Sequence, residues 1–164
     1  DDNGIVDGTL LRADDMRLYA YDVPSGAWRL EEPSSIDLAA HTLTGSTPHF
    51  SSFGGFVPAH ADLAALRVYP NPYRPDGSNR DAGHRFSAGD PLSGVIFDSL
   101  PPEATVRIFT VTGQLVRELG AVASGRIQWD ARTSDGHDAA SGVYLAVIKS
   151  PGQTPVVRRV AIIR

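Results

Sequence analysis

Hydrophobic residues along this chain come in short runs. Stretches of about four to eight residues rich in Val, Ile, Leu, Tyr and Phe alternate with clusters of Gly, Pro, Asn, Asp and Ser, a spacing that predicts an all-β sandwich. No segment carries a convincing helical period. The nearest, "DLAALRV" over 62–68, meets Pro70 and Pro72 at once, and prolines push the residues before them toward extended geometry. It reads as linker passing into a strand.

In the first part of the chain the pattern predicts strands at "GTLLRA" (8–13), "MRLYAYD" (16–22), "AWRLEE" (27–32), "SIDLAAHTLTG" (35–45) and "PHFSSFGGF" (48–56). "DVPSGAW" forms a hairpin connection, with Pro24 fixing φ and Gly26 free to take positive φ. Trp28 and Tyr19 are expected to supply much of the burial. Some sixty residues give a meagre core. Segment 1–60 is therefore either a small sheet leaning on its neighbour or, the reading preferred, the end of a larger β-domain that begins before residue 1. Small residues and a lone proline in "VPAHADLAA" (57–65) mark a boundary, with 61–65 as linker.

From Leu66 onward seven strands are predicted: "LRVY" (66–69), "GVIFDSL" (94–100), "ATVRIFT" (104–110), "QLVREL" (114–119), "GRIQW" (125–129), "GVYLAVI" (142–148) and "PVVRRVAII" (155–163). Seven strands in about a hundred residues is the size of an immunoglobulin-like sandwich. The fold class expected is all-β: a seven-stranded immunoglobulin-like sandwich over 66–164, preceded by a small antiparallel β segment. "FTVTGQLV" is a hairpin turning at Gly113. "GVYLAVI" is apolar on both faces, which suits a strand buried between the other sheet and a neighbour. Pro155 opens the last strand, where a missing N–H is tolerated.

Composition narrows the function classes. No apolar run approaches the roughly 20 residues of a membrane-spanning helix, and "DDNG" is not a signal peptide. Net charge is −4 and the pI about 5.7, without the clustered Lys and Arg that nucleic acid requires. With no cysteine there is neither a disulfide framework nor a thiolate metal site.

Four motifs occur in order: "LRVYPNPYRP" (66–75), "IFDSLPPEATVRIFTVTGQLVREL" (96–119), "WDARTSDGHDAASGVYLAVI" (129–148) and "VVRRVAIIR" (156–164). Together they resemble the C-terminal immunoglobulin-like sorting domain of type IX secretion cargo and the related immunoglobulin-like domain of flagellar hook-capping proteins, over about three fifths of the chain. The motif residues also have physical roles. Tyr69 is expected to pack inward, Pro70 and Pro72 to stiffen the first strand, and Asn71 to satisfy local backbone groups in the bend. Trp129 fills the core and Asp130 caps the turn after it. Gly136 makes a second turn, and Gly142 allows a close backbone approach before Tyr144 is buried. Ala131 departs from the families, which usually carry Gly after Trp-Asp, so a different turn is expected there.

The resemblance implies a non-catalytic module at the C-terminus of an exported protein, and the chain ends within a few residues of its last strand. Such a module directs passage through the outer membrane of a Gram-negative bacterium and attachment at the cell surface or release, and is commonly removed in the process. Implied partners are the secretion and attachment machinery. The alternative is a permanent structural or adhesion module contacting neighbouring subunits of a surface assembly. A hook-capping role is disfavoured, because the upstream strands are unlike a hook cap's flexible N-terminal region.

One triplet suggests chemistry. His49-Phe50-Ser51, followed by Phe53, resembles the self-cleavage site of the autoproteolytic β-domains of adhesion receptors and ZU5-type proteins. That likeness implies attack by the Ser51 hydroxyl on the Phe50 carbonyl, assisted by His49, from a strained strand. The plainer reading is an ordinary strand whose phenylalanines pack. The remaining candidates favour bland readings. His41, His49, His60, His84 and His137 show no zinc spacing. Asp130, Asp135 and Asp138 lack the EF-hand spacing for calcium and read as turn formers. "DPLSG" and "SFGGF" are not nucleophile elbows, and no cofactor is expected.

Overall fold

The computed structural model describes residues 4–6, 11–77, 83–120 and 125–164. The chain divides into two compact units, Asp1–Pro58 and Ala59–Arg164. Each is described separately.

The first unit holds five short strands: β1 (Arg17–Asp22), β2 (Ala27–Leu30), β3 (Ser34–Asp37), β4 (Thr42–Gly45) and β5 (Phe53–Phe56). β1 lies between β2 and β5 in an antiparallel sheet, and β3 pairs with β4 as a hairpin. Gly26 turns the first hairpin at φ 65°. Three expectations need correction. Predicted strand 8–13 partly lies outside the described residues, and its described end carries one bridge, Ile5 to Arg12, before a 3-10 turn at Ala13–Asp15. "SIDLAAHTLTG" is a hairpin rather than one strand. Asp37 Oδ1 accepts the N–H groups of Ala39 and Ala40, and that local bonding turns the chain back on itself. Trp28 is 44% exposed. It stacks edge-on with Tyr21 and Phe56, and Tyr19 does the same with Phe56, so the rings share one open face of the sheet instead of a core.

The second unit contains the seven strands expected: β6 (Arg67–Tyr69), β7 (Val95–Asp98), β8 (Thr105–Thr110), β9 (Leu115–Leu119), β10 (Ile127–Trp129), β11 (Gly142–Lys149) and β12 (Val156–Ile162). They form two antiparallel sheets, ordered β10-β7-β6 and β12-β11-β8-β9, the arrangement of an all-β sandwich. Trp129, Phe97, Val106, Ile108, Ile148 and Val160, drawn from both sheets, meet in one core. Leu63, inside the predicted linker 61–65, and Leu66 just after it belong to this core, so that stretch is not a free linker and the chain joins the sandwich before its first strand. The strand buried on both faces is β7. β11 buries Tyr144, Ala146 and Ile148, while its other face leaves Val143 exposed and Leu145 and Val147 half-buried. The apolar outer side of "GVYLAVI" is thus without the expected neighbour. Gly113 closes the β8–β9 hairpin at φ 88°, with its N–H on the Thr110 carbonyl at 3.0 Å.

Candidate functional site

The motif residues converge on β12. Its inner edge pairs with β11 over seven residues, from Gly142↔Ile162 to Ile148↔Val156. Its outer edge is met by "PNPY". Asn71 Nδ2 donates to the Arg159 carbonyl at 2.9 Å and Asn71 Oδ1 accepts the Ala161 N–H at 3.0 Å. Tyr73 N–H then donates to the Ala161 carbonyl at 2.8 Å, and Ile163 N–H to the Tyr73 carbonyl at 2.9 Å. Asn71 thus serves a strand far away in sequence rather than its own bend. A primary amide carries the donor and acceptor of a peptide unit, so it extends the ladder where the backbone itself does not reach. The peptide bonds preceding Pro70 and Pro72 are cis.

The loop after β10 holds the far end of the same strand. Trp129, fully buried, donates its ring N–H to the Arg132 carbonyl at 2.9 Å and packs edge-on against Tyr144 at 5.5 Å. Asp130 Oδ1 accepts the Arg132 N–H at 3.0 Å, a side-chain turn of the kind expected of Asp at this position. Ala131 sits at φ 55°. This is the left-handed region that glycine enters most cheaply, taken here with a Cβ attached. Arg164 reaches into this loop with all its guanidinium nitrogens: Nε to the Ala139 carbonyl at 2.8 Å, Nη1 to Asp138 at 3.1 Å and Nη2 to the Ala131 carbonyl at 3.2 Å. Arg132 Nε also meets Asp138, at 3.3 Å. These side chains, with Tyr73, Phe86 and Arg85, line a cavity of about 90 Å³.

Asp138 carries both Arg132 and Arg164 on its carboxylate, and among the described residues no group of three or more His, Asp or Glu is placed to hold a metal ion. Gly136 takes φ 81° in the Thr133–Gly136 turn. Gly142 is different from expectation: a Cβ there would meet open space, so no close backbone approach requires it. Tyr144 is buried and its hydroxyl donates to the Ala140 carbonyl at 2.8 Å. Burial pushes that phenol's pKa up, which keeps it a neutral donor.

A buried ionic cluster escaped the sequence reading. Arg126 Nη2 donates to Asp98 Oδ2 at 2.9 Å and to the Tyr69 hydroxyl at 3.0 Å, and that hydroxyl donates to Asp98 Oδ2 at 2.8 Å. Burial raises the Asp98 pKa, but the hydrogen bonds from Arg126 and Tyr69 outweigh it and hold the carboxyl below its ordinary value. The Tyr69 hydroxyl thus joins β6 to β7 and to the segment entering β10, but Tyr69 itself is half-buried and lies on the face of its sheet opposite Val68 and Phe97, so it does not pack into the core as expected. The signal was present: Asp98 and Arg126 are single charges inside apolar strand patterns, and buried charges are kept only where paired.

His49, Phe50 and Ser51 lie in the loop before β5, not on a strand. The Ser51 hydroxyl donates to the Tyr21 carbonyl at 2.6 Å. His49 faces Glu31 at 3.8 Å and Thr47 at 3.4 Å, and no hydrogen bond joins it to Ser51 among the described residues. Phe50 is fully exposed. The three border an open cavity of about 340 Å³ with Tyr21, Arg29 and Glu31. A base must reach the proton that it removes, and this loop presents no such contact.

No protein-family model matches the chain, and none of the curated proteins matches it. Two solved structures from Porphyromonas gingivalis are similar to part of it. One is PorZ, described as an essential bacterial surface component of the type IX secretion system, with 30% identity over 65% of this chain and a TM-score of 0.48. The other is dimeric latent PorU, with 23% identity over 60% of this chain and a TM-score of 0.41. The similar region spans 12% and 9% of those proteins.

Proposed function

We propose that the unit Ala59–Arg164 is a non-catalytic sorting module of the type IX kind, by which an exported bacterial protein crosses the outer membrane and is fixed at the cell surface. One observation carries the reading. Two of the four motifs on which the family resemblance rests meet the fourth: Asn71 and Tyr73 of the first, and Ala131, Asp138 and Ala139 of the third, bond to β12 or to Arg164 beyond it. A pattern of residues devoted to presenting one strand in one register fits an address that is read from that strand. On the same reading the first unit is the end of a larger upstream β-domain, and the partners are the secretion and attachment machinery. Among the described residues no helix is long and apolar enough to cross a membrane.

The test is a fluorescent reporter fused ahead of the 164-residue chain, behind a general export signal, in a Gram-negative bacterium that has the type IX apparatus. The reporter is expected at the surface or in the medium, and in the periplasm when the apparatus is deleted. Peptide mass spectrometry of the exported product is expected to lack everything after about Leu66 and to show an unbroken Phe50–Ser51 bond. Periplasmic reporter in both strains, or an intact tail on the surface protein, would sink the sorting reading in favour of a permanent structural module.

A further inference from the structure

We infer that the open edge of β12, Val156–Arg159, is a docking site for an extended acidic strand of a partner protein. The inference names the partner chemistry of the strand treated above as the address, and so rests on that reading.

Backbone direction alternates along a strand. On β12, Arg159 C=O, Ala161 N–H and C=O, and Ile163 N–H all face away from β11, toward Asn71 and Tyr73. The same alternation turns Val157 N–H, Val157 C=O and Arg159 N–H outward. Among the described residues no neighbouring strand meets them, and the Val157 carbonyl accepts only the Arg158 guanidinium at 3.3 Å. The other edge of this sheet is covered. The Val116 carbonyl on β9 accepts both the N–H and the hydroxyl of Ser134, at 2.8 and 3.1 Å, and Arg117 holds the Thr133 carbonyl at 3.0 Å. One edge closed by a loop and half of the other closed by Asn71 and Tyr73 leave a short gap of defined position. Such a gap is where a peptide adds by strand pairing.

Charge selects the peptide. Arg158 and Arg159 flank the gap, and Lys149 lies at the adjoining end of β11. None of the three makes an ion pair among the described residues. The plain reading of charged residues on an edge is protection against self-pairing. Two copies of β12 placed edge to edge would set arginine against arginine, so these charges do discourage a second copy. A strand with carboxylates beside Arg158 and Arg159 is favoured by the same charges. Val157, half-exposed on the same face as Arg159, offers an apolar contact beside it.

The probes are two eight-residue peptides, alternating Val–Glu and Val–Lys, added to the full chain while amide hydrogen exchange is followed. The Val–Glu peptide is expected to slow exchange at Val157 and Arg159 by about tenfold, and the Val–Lys peptide to leave both unchanged. Val157→Pro removes an outward N–H without touching the β11 pairing and is expected to abolish the protection. Arg159→Glu is expected to weaken the Val–Glu peptide and admit Val–Lys, and it carries the test should the proline variant fail to fold. Absence of protection by Val–Glu, or equal protection by both peptides, overturns the inference. If export of the reporter proceeds without peptide protection, this inference alone falls. If peptide protection persists without export, the sorting reading falls and the docking edge stands.

Discussion

The two units use the same material, short antiparallel strands with a tryptophan among them, and reach opposite results. In Ala59–Arg164 the tryptophan is Trp129, 0% exposed between two sheets. In Asp1–Pro58 it is Trp28, 44% exposed, although it makes two edge-on ring contacts, at 4.9 and 5.4 Å, against one for Trp129. Ring contacts therefore do not make a core. Two layers do, and the first unit has one three-stranded sheet and a hairpin, with Ile5 and Ala20 its only buried apolar residues among those described. An open aromatic face of this kind gains little from hydrophobic burial, since the gain follows the area removed from water.

Replacing each tryptophan is the strongest way to break the comparison. Trp129→Ala is expected to destabilise the second unit by about 3–5 kcal/mol, and Trp28→Ala to cost the first about 1–2 kcal/mol. Hydrogen exchange resolved to β7 and β1 reads the two units separately, and equal losses would contradict the contrast. Next comes the buried charge. Asp98→Ala leaves the buried Arg126 without its carboxylate and is expected to cost about 3–5 kcal/mol. The same group gives a pH signature. Because its folded pKa lies below its unfolded value, the stability that it contributes is present above about pH 4 and is lost as pH falls through the folded value. Denaturant midpoints between pH 7 and pH 2 should fall less steeply in Asp98→Ala than in the parent.

Two smaller changes sharpen the picture of β12. Asn71→Ala removes two hydrogen bonds to the strand edge and is expected to cost about 1–2 kcal/mol, with exchange accelerated most at the Ala161 amide. Ala131→Gly relieves a left-handed alanine and is expected to stabilise the second unit by about 0.5–1 kcal/mol, read as a rise in denaturant midpoint. A loss there would mean that the buried Ala131 Cβ contributes more than its backbone conformation costs.

Legibility in the sequence divides along the same line. The strands of the second unit were readable because most alternate against a buried layer, so that period and burial agree, and β7, buried on both faces, shows as a short continuous apolar run. In the first unit the signal blurred. "SIDLAAHTLTG" has apolar residues on both sides of a turn that Asp37 makes through its side chain, and nothing in the alternation marks the break. The triplet at 49–51 looked strand-like for the same reason, yet no partner strand takes it up. Single motif residues were legible as turn formers, as with Asp130, Gly113 and Gly136. Their non-local duties were not: the reach of Asn71 to Arg159 and Ala161, and of Arg164 to Asp138, depends on three-dimensional neighbours that no local pattern encodes. The departure at Ala131 was visible, and the residue takes φ 55° with its Cβ attached.

The bonds from Asn71 to β12 join residues 88 and 90 positions apart. Until β12 is in place, the amide of Asn71, the backbone of Tyr73 and one whole edge of β11 lack their counterparts. A chain cut short before Val156 therefore leaves that edge of β11 and the polar groups of Asn71 and Tyr73 open together. The distance in sequence between clasp and strand makes closure of this edge a report that both segments are present and in register.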